Sequence, residues 1–256
     1  MNQPATTRDL VAALRHLGAV SAPDGLLDAA LGQIWSGDSL APVQTTIGTV
    51  YVAFHAEGVF AVARGHSPQS VARSLSATYG RLIRPVDAAP AHVAQALGNG
   101  DASSIQVDLR GRTPFEQAVL RKAREIPRGE VRPYNWIARE IGHPAAVRAV
   151  GTALRKNPVP LLVPCHRVVR GDTTMGNYAL GADLKLQILE REGVPVAELR
   201  NLAHRGIRFL ASGAETFCLP TCQRARAAGH IELHNKREAL ARGLHPCPRC
   251  RPAVAV

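Results

Sequence analysis

Five cysteines carry most of the chemistry this sequence can offer, and they fall into two groups. Cys165 stands alone in the run Asn157-Pro158-Val159-Pro160-Leu161-Leu162-Val163-Pro164-Cys165-His166-Arg167-Val168. The three prolines fix φ and remove backbone donors, so the segment is extended and stiff. An isolated cysteine is by default a small core residue. A core residue needs no rigid approach, whereas a nucleophile held in place for a substrate uses one. The other four form short-spaced pairs, Cys218-x3-Cys222 and Cys247-x2-Cys250, with 24 residues between them. Two such pairs around a loop are what a tetrahedral four-thiolate zinc site requires.

The composition restricts where this chemistry operates. A chain of 256 residues can bury one large or two modest cores. Its formal charge of +11 points to a polyanionic partner, nucleic acid or an anionic membrane surface. There is no apolar run of about 18 residues, and Met1-Asn2-Gln3-Pro4 does not open a signal peptide. A soluble cytoplasmic protein with no membrane partner is therefore expected. In that compartment cysteines read as thiols or metal ligands rather than disulfides. Only Lys122, Lys156, Lys185 and Lys236 are lysines, leaving 27 arginines, which together with the high alanine content suits a GC-rich bacterial genome.

Four segments position these residues. Residues 1–40 read as a helical extension, with stripes Leu10-Val11-Leu14-Leu17 and Leu26-Leu27-Ala30-Leu31-Ile34 about a turn at Pro23-Asp24-Gly25. Residues 41–110 read as a small α+β domain. It has a strand over Thr46–Phe54, a hairpin through Glu57-Gly58 into Val59–Ala63, and a helix after Ser67-Pro68. A second helix starts at Pro90, and alternation of Ile105, Val107 and Leu109 predicts a further strand. Residues 111–200 open with a cap, proline and capping-box glutamate at Thr113-Pro114-Phe115-Glu116. Two short helices, Tyr134–Ile141 and Ala145–Lys156, flank Gly142-His143-Pro144 and make a helix-turn-helix candidate. The second is built of small residues and carries Arg148 and Arg155, a combination that lets a helix approach a groove and meet phosphates. A helix marked by Leu184, Ile188 and Leu189 ends at Glu192-Gly193. Periodicity fades over 200–214, where a boundary is expected, and residues 211–256 form the last module. Residues 200–256 hold ten basic against three acidic side chains.

The motif Pro164-Cys165-His166-Arg167-Val168 resembles the signature of the O6-alkylguanine-DNA alkyltransferases. The likeness runs from Thr113 through Gly193 and includes Gly129-Glu130-Val131, Ala149-Val150-Gly151, Asn157-Pro158-Val159-Pro160 and Gly176-Asn177-Tyr178. The fold class it implies is α+β. A small N-terminal ribonuclease-H-like α/β domain precedes a helical, winged-helix-like domain with the helix-turn-helix, and a small zinc-bound module follows. The activity it implies is irreversible transfer of an alkyl group from guanine in double-stranded DNA to the protein, after the base has left the stack. By this resemblance Cys165 is the acceptor, His166 deprotonates it through a water, and Glu192 orients the imidazole. The relay is expected to lower the thiol pKa from about 8.5. Asn157 braces the loop, and Tyr134 donates a hydrogen bond to the guanine. Arg148 fills the gap left by the flipped nucleotide. Val168, Tyr178, Ala179 and Lys185 are placed at the substrate pocket. No organic cofactor is implied, and a monomer is expected.

The last module resembles the metal-binding domain of the bacterial Ada protein, through Phe217-Cys218-Leu219-Pro220-Thr221-Cys222, Glu238-Ala239-Leu240-Ala241-Arg242-Gly243 and Pro246-Cys247-Pro248-Arg249-Cys250. That likeness implies zinc on Cys218, Cys222, Cys247 and Cys250, with Cys218 accepting a methyl group from a DNA methyl phosphotriester. The alternatives are a zinc module that only binds DNA, and an alkylation sensor or regulator. The order of modules is reversed relative to Ada. The six residues after Cys250 leave no room for Ada's regulatory helix-turn-helix units, which argues against a transcriptional role.

Overall fold

Period-two alternation builds the first layer of the protein. The computed structural model describes residues 37–100, 102–171, 174–176, 178, 180–212, 215–225 and 230–252. The helices expected before Ile34 lie outside these. Strands β1 (Asp38–Thr45), β2 (Gly48–His55), β3 (Gly58–Ala63) and β4 (Ile83–Pro85) form a sheet in the order β3-β2-β1-β4, antiparallel except where β1 meets β4. Leu40, Tyr51, Ala53 and Phe60 face helix α1 (Pro68–Tyr79), while Val43, Val50, Val52 and Val62 join the main core with helix α2 (Ala91–Asn99). Helix α1 begins with a full capping box between Ser67 and Ser70.

Three expectations change here. Asp38–Leu40 belong to β1 rather than to a helical extension, and the strand expected from Thr46 is preceded by this whole strand, with Thr46 and Ile47 in the turn. Pro42 hid β1 from sequence reading. It is tolerated because β4 pairs only with Asp38–Leu40, leaving β1 an edge at Pro42. The strand expected over 105–109 is a single bridge, Val59 to Val107. The guanidinium of Arg124 takes the carbonyls of Ala102, Ser103 and Ile105, so these groups are satisfied without a ladder.

The second layer is helical. Helix α3 (Pro114–Arg124) starts at the Thr113–Glu116 capping box and buries Val119, Leu120 and Ala123. Strand β5 (Arg132–Pro133) leads directly into α4 (Tyr134–Glu140), and α5 (Val147–Arg155) follows as the second helix of the pair. β5 pairs in parallel with β6 (Val168–Val169), which leaves the short 3-10 turn Cys165–Arg167. The sheet reaches the motif directly, since the Val62 N–H donates to Pro158 O at 2.8 Å.

Helices α6 (Ala182–Arg191) and α7 (Val196–His204) pack Leu189, Val196 and Leu199 against Val131 and Val169. The stretch where a boundary is expected contains the end of α7 and strand β7 (Phe209–Ser212). With β8 (Thr216–Cys218), β9 (Ile231–Leu233) and β10 (His245–Pro246), β7 forms a second sheet in the order β10-β8-β7-β9, beside the short helix α8 (Lys236–Ala241). All four paired cysteines lie in the same apolar core as Val119, Leu120, Trp136 and Ile137. Asp38–Val256 is one compact unit. Among the described residues no helix is long and apolar enough to cross a membrane.

Candidate active site

Cys165 lies at a cavity of about 330 Å³ lined by Tyr134, Arg148, Gly151, Arg170 and Tyr178 among others. Its side is formed by α4 and α5, which is why the helix pair and the motif, apart in sequence, act on one space. The loop that carries Cys165 is held by one side chain. Asn157 Nδ2 donates to Val163 O at 3.0 Å and to Cys165 Sγ at 3.1 Å, while its Oδ1 accepts from Val159 N–H at 3.1 Å. Leu161 adopts φ 74°, a left-handed conformation unusual for a residue with Cβ. Such a conformation persists only where the surroundings enforce it, here the prolines on one side and the asparagine clamp on the other.

Behind Cys165, His166 is buried, and its Nε2 is 3.0 Å from Glu192 Oε1. Among the described residues its buried Nδ1 has no hydrogen-bond partner, and its ring packs edge-on against Tyr178, whose buried hydroxyl has none among them either. Burial raises the Glu192 carboxyl, but hydrogen bonds from His166 and Arg167 outweigh this and hold it at about 2. Burial pushes His166 below its usual range, opposed by Glu192. The expected lowering of the acceptor thiol is not met in the free protein. Burial pushes Cys165 up, opposed by the Asn157 hydrogen bond and the Lys185 charge.

Arg167 is a site residue whose role sequence reasoning missed. It donates Nε to Glu192 Oε2 and Nη2 to Glu192 Oε1, both at 2.8 Å, and Nη1 to Ile126 O at 2.8 Å. Its partner lies 25 positions away, so no local spacing signals the bidentate pair that burial beside a buried carboxylate produces. Glu192 reaches both partners because it caps the C-terminal end of α6.

Other expected pocket residues divide. Tyr134 and Tyr178 line the cavity, and burial raises both phenols, with the Cys165 charge adding to it. Arg148 is exposed at its mouth, with no hydrogen bond or ion pair to its guanidinium among the described residues. Val168 does not line it. Its side chain is fully buried on β6, and its carbonyl accepts from Lys185 Nζ at 2.6 Å. Lys185 is fully buried too and also donates to Met175 O, so it braces the pocket floor from behind. Burial brings it down to about 8, opposed by the Cys165 charge. Ala179 lies outside the described residues.

Cys218, Cys222, Cys247 and Cys250 form the second candidate site. Their sulfurs lie within 4.8 Å of one another and all four residues are fully buried. Leu219 N–H donates to Cys250 Sγ at 3.3 Å. Four thiols brought together in a core, with a backbone donor aimed at one sulfur, have the donor chemistry and spacing of a thiolate zinc site. A further cluster, His55, Glu57 and Asp108, is already met by a cation: Arg110 pairs with both carboxylates.

The family model for the DNA binding domain of 6-O-methylguanine DNA methyltransferase matches residues 114–194. The chain is 35% identical over 156 residues to the bifunctional transcriptional activator/DNA repair enzyme Ada of Escherichia coli, covering 57% of this chain and 43% of that protein. It is 43% identical over 100 residues to the methylated-DNA–protein-cysteine methyltransferase of Methanosarcina acetivorans, covering 39% of this chain and 64% of that protein. The crystal structure of the Mycobacterium tuberculosis O6-methylguanine methyltransferase superposes with a TM-score of 0.50 at 30% identity, covering 60% of this chain and 92% of that one. The chain belongs to the methylated-DNA–protein-cysteine methyltransferase family. The mycobacterial structure in complex with DNA gives a TM-score of 0.52 at 28% identity, over 63% of this chain and 99% of that one. The chain spans 43% and 64% of the lengths of the E. coli and M. acetivorans relatives. The family match covers α3 through α6, the elements that surround Cys165.

Proposed function

We propose that this protein repairs alkylated duplex DNA by moving an alkyl group from guanine O6 to Cys165 Sγ, once per chain. The observation that carries this reading is a buried thiol at a cavity of about 330 Å³, with a His–Glu pair behind it and an exposed arginine at its mouth. That volume falls in the range of small-molecule pockets, about 300–1,000 Å³, and the base must leave the stack to enter it.

In the reaction the S–C bond forms as the C–O6 bond breaks. The thiol proton passes toward His166 Nδ1 by way of a water, and Glu192, fixed by Arg167, stabilises the imidazolium. The guanine leaves with its negative charge met by the Tyr134 hydroxyl, and it gains a proton in exchange for the one the thiol lost. Because burial keeps the resting thiol neutral, its ionisation is coupled to substrate engagement, which limits side reactions of a buried nucleophile. The product is a stable thioether, so the chain does not turn over. The Arg148 side chain fills the place of the extruded nucleotide, Asn157 keeps Sγ aimed at the cavity, and Tyr178 walls it. The likeness to a structure in complex with DNA supports DNA as the partner, and the double-stranded form is the reading that a base leaving its stack requires. The chain acts as a monomer in the cytoplasm, on the nucleoid.

The four paired cysteines would hold zinc, which when bound keeps thiols deprotonated at neutral pH. Two readings of Cys218 follow. Likeness to Ada supports a second acceptor for methyl groups from backbone phosphotriesters. Complete burial of Cys218 favours the other, a zinc-stapled module that only adds DNA affinity.

The test is transfer of labelled methyl from duplex DNA carrying one methylguanine. One label per chain at saturation, with no turnover, is expected. Turnover beyond one, or no label on protein, would contradict the reading.

A further inference from the structure

The segment from Glu130 to Glu140 is a wall shared by two sites. Tyr134 faces the guanine cavity, while its neighbours on both sides bond to the four-cysteine module. The Trp136 indole Nε1–H, fully inside the protein, donates to the carbonyl of Cys250 at 3.0 Å. Its ring has the Arg132 guanidinium 5.7 Å from its centroid and that of Arg251 5.4 Å away. Arg139 donates to Arg251 O at 2.5 Å, and Arg251 pairs with Glu140 at 3.0 Å. Upstream, Thr221, which lies between two of the paired cysteines, bonds Val131 through its hydroxyl at 2.9 and 3.2 Å. Glu130 completes the seam with Arg132 and Arg249.

From this seam we infer that metal on the four cysteines sets the geometry of α4 and α5, with Trp136 as the positioning residue, and so governs repair in duplex DNA. The inference rests on the function proposed above. Arg251 has φ 46°, a left-handed conformation for a residue with Cβ, directly after Cys250. A chain held in that conformation relaxes when its anchor is released. Without metal, the Cys247–Cys250 turn is tied to the Cys218–Cys222 turn by apolar packing and by hydrogen bonds such as Cys247 N–H to Phe217 O and Leu219 N–H to Cys250 Sγ. If the Cys250 carbonyl moves, the Trp136 N–H is left buried and unpaired, and helix α4 must shift to satisfy it. Tyr134 sits on the same helix, and α5, which carries Arg148, packs against it. The four cysteines thus act as more than an attached module: they brace the helices that grip duplex DNA. A free guanine base does not need that grip.

The test uses the full chain, zinc-loaded and chelator-stripped, as wild type and as Trp136→Phe, which keeps a ring and removes the donor. Hydrogen exchange is read across residues 134–155, and single-turnover transfer to Cys165 is read from duplex DNA and from free O6-alkylguanine base. Zinc removal is expected to speed exchange in α4 and α5 and to slow duplex transfer about tenfold, with free-base transfer little changed. Trp136→Phe with zinc bound is expected to behave as stripped wild type does, its free-base transfer reporting an intact fold. Unchanged exchange in α4 and α5 on stripping would overturn the inference. So would an equal loss of protection throughout the chain, which makes zinc a general staple. Absence of transfer from either substrate, even with zinc, would strike the proposed function instead, and exchange would still decide the coupling.

Discussion

The two cysteine sites are buried to similar depth and solve opposite problems. Around Cys165 a single thiol is isolated, and burial raises its pKa until a substrate and the His166–Glu192–Arg167 chain change the balance. Around Cys218 four thiols crowd within 4.8 Å, and a metal is the natural way to hold four sulfurs without four protons. One site stores a nucleophile, while the other consumes thiols to make a joint. The contrast explains their surroundings: prolines and a strained Leu161 aim the first, and the turns that follow β8 and β10 of one sheet close the second.

The comparison can be broken most sharply at the acceptor. Cys165→Ala is expected to abolish methyl transfer from both duplex and free base while leaving the melting temperature within a few degrees, because a small buried side chain is replaced by another. Label incorporation and thermal melting check this. Cys222→Ser strikes the joint. It is expected to release metal and lower stability by several kcal/mol, since these cysteines share the main core with α3 and α4, and calorimetry with metal analysis reads both.

Acid separates the two sites more gradually. Glu192 falls from its ordinary 4.5 to about 2 on folding, so its contribution is present above about 4.5 and lost as pH drops toward 2. That contribution is about 3 kcal/mol. His166 is held neutral, so the unfolded chain binds its proton first and stability also declines below about 6.5. Denaturant midpoints between pH 7 and 3 are expected to fall, and Glu192→Gln is expected to flatten the lower part of that fall. The smallest effect lies at the cavity mouth. Arg148→Ala is expected to slow duplex transfer about tenfold and leave free-base transfer unchanged, because only extrusion needs the side chain. Equal slowing of both would remove Arg148 from base extrusion.

What was legible in the sequence followed from local chemistry. The Thr113 capping box, the α4–α5 pair, and the spacing of the cysteine pairs each use a rule confined to a few neighbouring residues. What was not legible depended on long-range partners. Strand β1 was hidden by Pro42, tolerable only because β4 stops short. The strand over 105–109 failed because Arg124, about twenty residues on, took its carbonyls. Arg167 and the Trp136–Cys250 bond join residues 25 and 114 positions from their partners, beyond any pattern of spacing. The Val168 side chain, expected in the pocket, is buried because β6 pairs with β5, a register visible only in three dimensions.

The central claim is that Cys165, alone among the five cysteines, is a thiol kept for guanine. The direct measurement is mass spectrometry of the zinc-loaded chain after reaction with duplex DNA carrying both methylguanine and methyl phosphotriesters, mapped cysteine by cysteine. The account predicts one methyl group on Cys165, with any second methyl confined to Cys218. A Cys165 peptide that stays unmodified while the DNA loses its methylguanine would contradict it.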